Sequence, residues 1–355
     1  MSTPSPRFTL GIEEEFQLVD RQTGELSQHV LTLLEKGADQ FGEKIKAEML
    51  QSTIELITDV CPHISAVRLE LLRLHTALLR LVEQEGLTLI SAGTHPAGSW
   101  LEQQATPNPR YLEIEEELQD VVRSLLIFGL HIHVGVDSFE LAITIMNQLR
   151  TWIPHLLALS SNSPFWHGRY TGLKAYRPVI WRPFPRSGIS EPVASWREFE
   201  AYVQSLAQAG LIDNAKKIWW DIRPHPFFKT VEFRVFDMPA TLDDTIAIAA
   251  LCQALVAKLT WLHVRGMTTH ILPRHFIDEN KWRAMRYGLD ADIFDFVHGR
   301  KLRMRDDISD LLDFVDDVLD DLGSRREIDH LRVLLADPRG TCLLYTSPSP
   351  RDRQK

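Results

Sequence analysis

Neither GxxxxGK[ST] nor GxGxxG occurs in the 355 residues, which removes the two glycine-rich loops that cradle phosphates with backbone amides. If a nucleotide binds here, cations and arginines must hold its phosphates. Positive charge is not in excess: 39 Lys and Arg against 48 Asp and Glu leave a formal net charge of -9, which disfavours nucleic acid as a partner. Cysteine is scarce. Cys61, Cys252 and Cys342 are the only three, without CxxC spacing, so no disulfide framework is expected and a reducing cytoplasm fits. The opening MSTPSPRFTLG has no apolar core of a secretory signal. One run, Thr245 to Val264, is long enough for a bilayer, but Gln253, Lys258 and His263 interrupt it, so it reads as a buried helix and no membrane partner is expected. With 44% hydrophobic and 25% charged residues, the remainder is ordinary for a soluble globular chain of one large domain or two.

What is present is a set of charges inside apolar strands. In Leu10 to Val19 (LGIEEEFQLV), Glu13 and Glu15 are two apart and share a face. In Val231 to Phe236 (VEFRVF), Glu232 and Arg234 share one face while Val231, Phe233 and Val235 take the other. Charges are seldom buried without a partner, and hard oxygen ligands projecting from a rigid sheet are what Mg²⁺ sites use. Glu14, Glu48 and Glu55 complete the acids in sheet-like segments. Glu48 and Glu55, seven apart, would face opposite ways on a regular strand, so a bulge or a change of element is needed between them.

His131 and His133 in LHIHVGV lie on one strand face, the HxH spacing with which many zinc hydrolases present two imidazoles. Metal-dependent hydrolysis is therefore the alternative reading. Arg169, Arg177, Arg182 and Arg186 fall in the proline-rich segment Ser161 to Pro192, and Arg223 and Arg234 at strand positions. Their guanidinium forks suit carboxylate and phosphate oxygens.

Helices are predicted over Leu26 to Gly42, Arg68 to Glu85, Tyr111 to Phe128, Phe139 to Ser160, Glu198 to Gly210, Asp243 to Arg265 and Asp306 to Leu322. Strands are predicted within Ala47 to Thr58 and over Leu87 to Ala92, Leu130 to Val136, Lys217 to Arg223 and Val231 to Asp237. The elements mix without a βαβ beat, which predicts an α+β fold with a largely antiparallel sheet.

LGIEEEFQLVD, GLHIHVGV, IWRPFPRSGIS, IWWDIRPHPFFKTVEFRVFD and NKWRAMRYGLDA together resemble the YbdK-type carboxylate-amine ligases of the second glutamate-cysteine ligase family, from about Phe8 to Gly340. The resemblance implies a glutamine-synthetase-like catalytic fold: a curved, mainly antiparallel sheet with helices on its outer face, as a single catalytic domain over 1–341. It implies that ATP phosphorylates the side-chain carboxylate of glutamate and that an amine, cysteine giving γ-glutamylcysteine, attacks the acyl phosphate. Glu13, Glu15, Glu55 and Glu232 would hold Mg²⁺, with Glu48 a further ligand and His131 beside the metals. Arg234 would contact the transferred phosphate, and Arg223 and Arg182 substrate carboxylate or nucleotide phosphate. Small-molecule substrates, a cytoplasmic location and a homodimer among the allowed assemblies go with it. Asn280, Trp282 and Arg283 belong to a motif with no derived role. Cys342 to Lys355 (CLLYTSPSPRDRQK) departs from the family pattern, is read as a foreign tail, and replaces a last helix.

Overall fold

The computed structural model describes residues 7–337 and 340–341; the expectation for Cys342 to Lys355 lies outside them. Seven antiparallel strands form the main sheet: β1 (Leu10–Asp20), β2 (Ile45–Ala47), β3 (Thr53–Ile57), β4 (Leu87–Ile90), β5 (Gly129–Gly135), β6 (Ile222–Pro224) and β7 (Thr230–Asp237). Their spatial order is β6-β7-β5-β1-β3-β2, with β4 also on β1. The long strand β1 is the spine. Residues 10–14 pair with β5 and residues 17–20 with β4, while β3 runs along the other edge.

Alternation along β1 sorts the two faces. Leu10, Ile12, Phe16 and Leu18 are buried on the helix side, and Gly11, Glu13 and Glu15 look the other way. Glu14 falls on the apolar side and is fully buried; His75, from the helix Ile64–Gln84, meets its Oε2 at 2.5 Å through Nε2. That imidazole is held above its ordinary pKa: burial opposes the charge, and the Glu14 carboxylate outweighs it. Glu14 is thereby removed from the acids available to the open face.

The helix side is centred on Leu242–Val264, capped by the Thr241 hydroxyl, which accepts from the Asp244 amide at 3.1 Å. It meets β5, β1 and the helices Ile64–Gln84, Phe139–Leu149, Ile153–Ser160 and Arg325–Ala336. Among the described residues it is the one helix long and apolar enough to cross a membrane, and 83% of that stretch is buried inside the protein. It is a core helix, as its interrupting polar residues predict. Gln253, for instance, donates to the Phe8 carbonyl at 2.8 Å.

Five sequence expectations change, among them the helix over Asp306 to Leu322, which runs over Met304–Phe314 and Leu319–Leu322 with a 3₁₀ turn at Asp316–Val318 between. The helix predicted over Tyr111 to Phe128 runs only over Pro109–Leu118 and Asp120–Arg123, broken where Gln119 takes φ +50°. The helix over Phe139 to Ser160 is interrupted by a 3₁₀ turn at Arg150–Trp152, just before Pro154, which has no amide hydrogen to continue the ladder. Leu26 to Gly42 begins its helix later, at Val30. The strand over Lys217 to Arg223 splits at Asp221: Trp219–Trp220 pairs in parallel with Ser187–Gly188, and β6 pairs with β7. Helices Arg274–Tyr287 and Arg325–Ala336 and the hairpin Asp292–Asp295/Arg300–Arg303 were not predicted.

The first of those two helices braces the split. Its Lys281 Nζ lies 2.6 Å from Asp221 Oδ2, both buried, while Asn280 exchanges side-chain hydrogen bonds with the Phe294 backbone. Replacing one member of a buried ion pair strands the other charge, at a cost of about 3 kcal/mol or more. Lys281→Met should therefore lower the denaturation midpoint strongly, and Lys281→Met with Asp221→Leu should recover most of the loss. A single variant as stable as the parent would show that the pair does not brace the sheet.

Candidate active site

On the open face of the sheet, Glu15 stands opposite Glu55 of β3, and Glu13 opposite His131 of β5. Directly opposed side chains on one face sit about 5 Å apart at Cβ, so the register alone gathers three acids and an imidazole. Glu48 joins them by another route. Residues 48–52 form the connection between β2 and β3, with Lys46 opposite Glu55, so the chain reverses and returns Glu48 to the face that Glu55 occupies. No bulge is needed. The turn is fixed by its neighbours: the Thr106 hydroxyl donates to the Glu48 carbonyl at 2.6 Å and the Thr106 amide to the Met49 carbonyl at 2.8 Å.

One ligand atom from each of Glu13, Glu55 and His131 lies within 4.8 Å of the others, and the same holds for Glu15, Glu48 and Glu55. Glu55 belongs to both groups. Glu13 Oε2 is 3.0 Å from His131 Nδ1, and Glu15 Oε2 accepts from the Gly129 amide at 2.5 Å. His131 Nε2 is buried without a hydrogen-bond partner, an orphan that a cation beside Glu13 and Glu55 would satisfy. Mostly oxygen donors, in two adjoining groups, suit Mg²⁺ rather than Zn²⁺.

The electrostatics follow from this crowding. Burial, then the charges of Glu15 and Glu13, push Glu48 up to about 7. Burial, then Glu48, Glu13 and Glu15, hold Glu55 well above the carboxylate range. Glu13 goes the other way: burial opposes its charge, but the hydrogen bond with His131 and the nearby His133 imidazole pull it well below. His131 is lowered by burial and by the Arg234 charge. Like charges that cannot all ionise together are the signature of a site awaiting a cation.

The remaining sequence candidates fall in different places. Glu232 is fully buried and bound by guanidinium groups: Arg223 Nε at 2.7 Å, Arg223 Nη2 at 3.1 Å and Arg234 Nη1 at 2.5 Å. Burial opposes its charge, but Arg223 and then Arg234 hold it well below the ordinary range. It belongs to neither acid group, and both its oxygens accept from guanidinium groups. Arg223 also spends Nη1 on the carbonyls of Lys216 and Ile218, so its donors are largely used within the fold. Arg234 lines the cavity over the acids and keeps a buried Nε without a partner. Arg182 is exposed and lines a separate cavity with Arg186 and Arg274.

His133 shares the face of His131, yet it is outside both ligand groups. Its Nε2 is 3.4 Å from Glu13 without hydrogen-bond geometry, and its ring meets that of His225 edge-on at 5.5 Å. The two-imidazole zinc arrangement is therefore not what the fold assembles among the described residues. His225 was missed in the sequence; burial pushes it down to about 4, so it is neutral. Arg177, passed over among four loop arginines, is buried and lines the cavity.

Two cavities meet on this face. One, of about 630 Å³, holds Glu13, Glu15, Glu48, Glu55, His131 and Arg234, with Lys46, Arg110, Tyr111 and Trp181 on its walls. The other, of about 410 Å³, lies over the ends of β1 and β5 near Gly11 and Gly135. Glu13, His225 and Phe228 line both.

Comparison with known proteins places this architecture. The profile of the glutamate-cysteine ligase family 2 (GCS2) matches residues 9–343. A protein of Solibacter usitatus (strain Ellin6076), provisionally named glutamate--cysteine ligase 2, is 48% identical over 341 residues, covering 96% of this chain and 89% of its own. A relative of the same provisional name from Chloroflexus aurantiacus (strain ATCC 29366 / DSM 635 / J-10-fl) is 48% identical over 324 residues, or 91% of this chain and 83% of its own. Among solved structures, the glutamate--cysteine ligase of Francisella tularensis in complex with AMP superimposes with a TM-score of 0.69 at 14% identity, covering 94% of this chain and 83% of that one. A bifunctional glutathione synthetase from Pasteurella multocida gives 0.68 at 14% identity over 95% of this chain and 49% of that one. The fold is thus the glutamine-synthetase-like one of these ligases, with an antiparallel sheet open on one face and helices on the other. The chain belongs to glutamate-cysteine ligase family 2 and is a carboxylate-amine ligase.

Proposed function

We propose that the protein uses ATP and Mg²⁺ to activate the side-chain carboxylate of glutamate as an acyl phosphate, which the amine of cysteine or another amino acid then attacks. The observation that carries this reading is the pair of acid groups sharing Glu55, which line one cavity and reach its seam with the second through Glu13. A phosphoryl group must pass between two bound molecules, and such a seam is where their reacting ends can meet in line. Adenine nucleotide as the phosphoryl source agrees with the AMP held by the Francisella tularensis ligase.

Glu13, Glu15, Glu48, Glu55 and His131 are the residues that would hold Mg²⁺. The ion would supply charge neutralisation for the phosphate oxygens. The protein's own groups do the rest. Arg234 brings a planar cation to the same cavity, suited to the oxygens of the transferring phosphoryl group. Glu232, by fixing Arg234 and Arg223 together, orients that cation. His131, kept neutral by burial, has a lone pair to offer beside Glu13. Walls of Trp181, Tyr111 and Phe228 limit water around the acyl phosphate, which would otherwise hydrolyse.

The defining experiment is ADP release with Mg²⁺, L-glutamate and a panel of amino acid amines. Release should require all components, and no turnover with any amine would remove the reading. Glu55→Gln should cut Mg²⁺-dependent ADP release about 100-fold or more, since both acid groups lose a shared ligand. The same variant should raise the melting temperature of the metal-free protein, because the cost of burying a carboxyl that must be kept neutral among its neighbours has gone. A variant that turns over normally would take Glu55 out of the site.

The pH dependence has a definite sign. Glu48 titrates near 7 in the fold against an ordinary 4.5, so the fold favours its neutral form. That stability is fully present below the ordinary value and is lost as pH rises through about 7. In chelator, the melting temperature should fall between about pH 4.5 and about pH 7 and level off above that, and Mg²⁺ should restore more of it at the higher pH. An equal Mg²⁺ effect at both values would exclude Glu48 and Glu55 as ligands.

A further inference from the structure

Arg177 is a buried cation with no carboxylate in direct contact, Glu15 and Asp237 acting on it only from further off. It is 6% exposed, and among the described residues no carboxylate oxygen lies within 4 Å of its nitrogens, although ion pairs of that length are common elsewhere in the chain. Its one side-chain hydrogen bond runs from Nη1 to the Arg234 carbonyl, at 3.3 Å, and its Nε has no partner. Burying a charge in this state is costly unless something compensates it.

The fold nevertheless invests in placing it. The Arg177 amide donates to the Ser163 hydroxyl at 3.0 Å, and that hydroxyl donates to Asp237 Oδ2 at 2.6 Å, tying the start of the helix Arg177–Trp181 to the end of β7. The guanidinium then lies over Gly129 of β5, where a Cβ would sit 2.4 Å from Nη2 and 2.8 Å from Cζ. A gap in the row of side chains on the open face is thus filled by an arginine from a distant loop. That brings it into the cavity that Glu13, Glu15, His131 and Arg234 line. Arg234 also retains a buried Nε without a partner. Two guanidinium groups in one cavity, each with an unused donor, need an oxyanion.

We propose that Arg177 is a substrate-binding residue that grips, together with Arg234, one oxyanion of the reacting molecules: a carboxylate of the amino acid or the phosphoryl group being transferred. The proposal rests on the ligase reading for the names of those oxyanions. It assigns to Arg177 the contact that the family resemblance implies for Arg182, whose side chain belongs to a different cavity.

Arg177→Met keeps much of the side-chain volume and removes the charge, and Arg177→Lys keeps the charge but not the fork. Calorimetric titration with L-glutamate, and separately with ADP and Mg²⁺, tests binding without requiring turnover, so a failure of the ligase reading in the ADP assay remains separate. Arg177→Met should weaken one of these ligands about 100-fold and cut kcat/KM for ADP release by at least as much. Arg177→Lys should recover little of either. The melting temperature should hold or rise, since an unpaired buried charge has been removed. Arg169→Met, on an exposed arginine of the same loop, should leave binding unchanged. Loss confined to L-glutamate assigns the carboxylate, and loss confined to ADP and Mg²⁺ or to kcat assigns the phosphoryl group. The proposal is overturned if Arg177→Met binds both ligands as the parent does and turns over within twofold of it. It is equally overturned if the Met and Lys variants both melt well below the parent and lose activity only in proportion, because Arg177 would then be holding the fold together.

Discussion

Repulsion among carboxylates on one face of a sheet is the constraint around which this molecule is arranged. Glu13, Glu15, Glu48 and Glu55 sit closer together than four negative charges would choose, and the protein tolerates them by unequal means. Glu13 is stabilised by two imidazoles, Glu15 by a backbone amide, and Glu48 and Glu55 by giving up charge. A sheet is suited to imposing such closeness, because the ladder that fixes the register is satisfied independently of the side chains it displays. The helical side supplies the opposing stabilisation through the apolar core around Leu242–Val264.

The same face separates charge that is spent from charge that is available. Glu232 and Arg223 are matched to each other and to backbone carbonyls, so they serve as scaffold for Arg234. Glu14 is matched to His75 on the opposite side of β1. What is left over, Glu55, Glu48, the Nε2 of His131 and the guanidinium of Arg177, lines one cavity. Unpartnered buried polar atoms occur elsewhere in the fold too, but here they gather in one cavity with acids that repel each other, and that is the place to look for chemistry.

Much of the sheet was legible in the sequence because period-two alternation marks a half-buried strand directly: LGIEEEF and VEFRVF gave both the strands and the faces of Glu13, Glu15, Glu232 and Arg234. The gathering of Glu48 with Glu55 was not legible, since it depends on a five-residue reversal whose shape is set by contacts with Thr106, far along the chain. Sharing a face was also insufficient. Alternation puts Glu232 on the face of the ligating acids, but it cannot say that Arg223, on the neighbouring strand, bonds its oxygens. Arg182 and Arg177 could not be ranked by spacing in a segment without periodicity; only the tertiary path of the loop distinguishes the exposed one from the buried one. The helix Arg274–Tyr287 escaped for a related reason, its charged surface hiding the few residues, Asn280 and Lys281 among them, that anchor it.

Gly129 gives the arrangement an unusual kind of adjustability. Its backbone is in no conformation reserved for glycine, so a small side chain there would meet resistance from the flexible tip of Arg177 rather than from the sheet. Evolution could therefore tune how deeply that arginine reaches, methyl group by methyl group, without disturbing the strand beneath it. With Arg177 gripping a substrate oxyanion as proposed, folding and ligand preference would be uncoupled at this one position, and a change in the molecules accepted would have an easy place to begin.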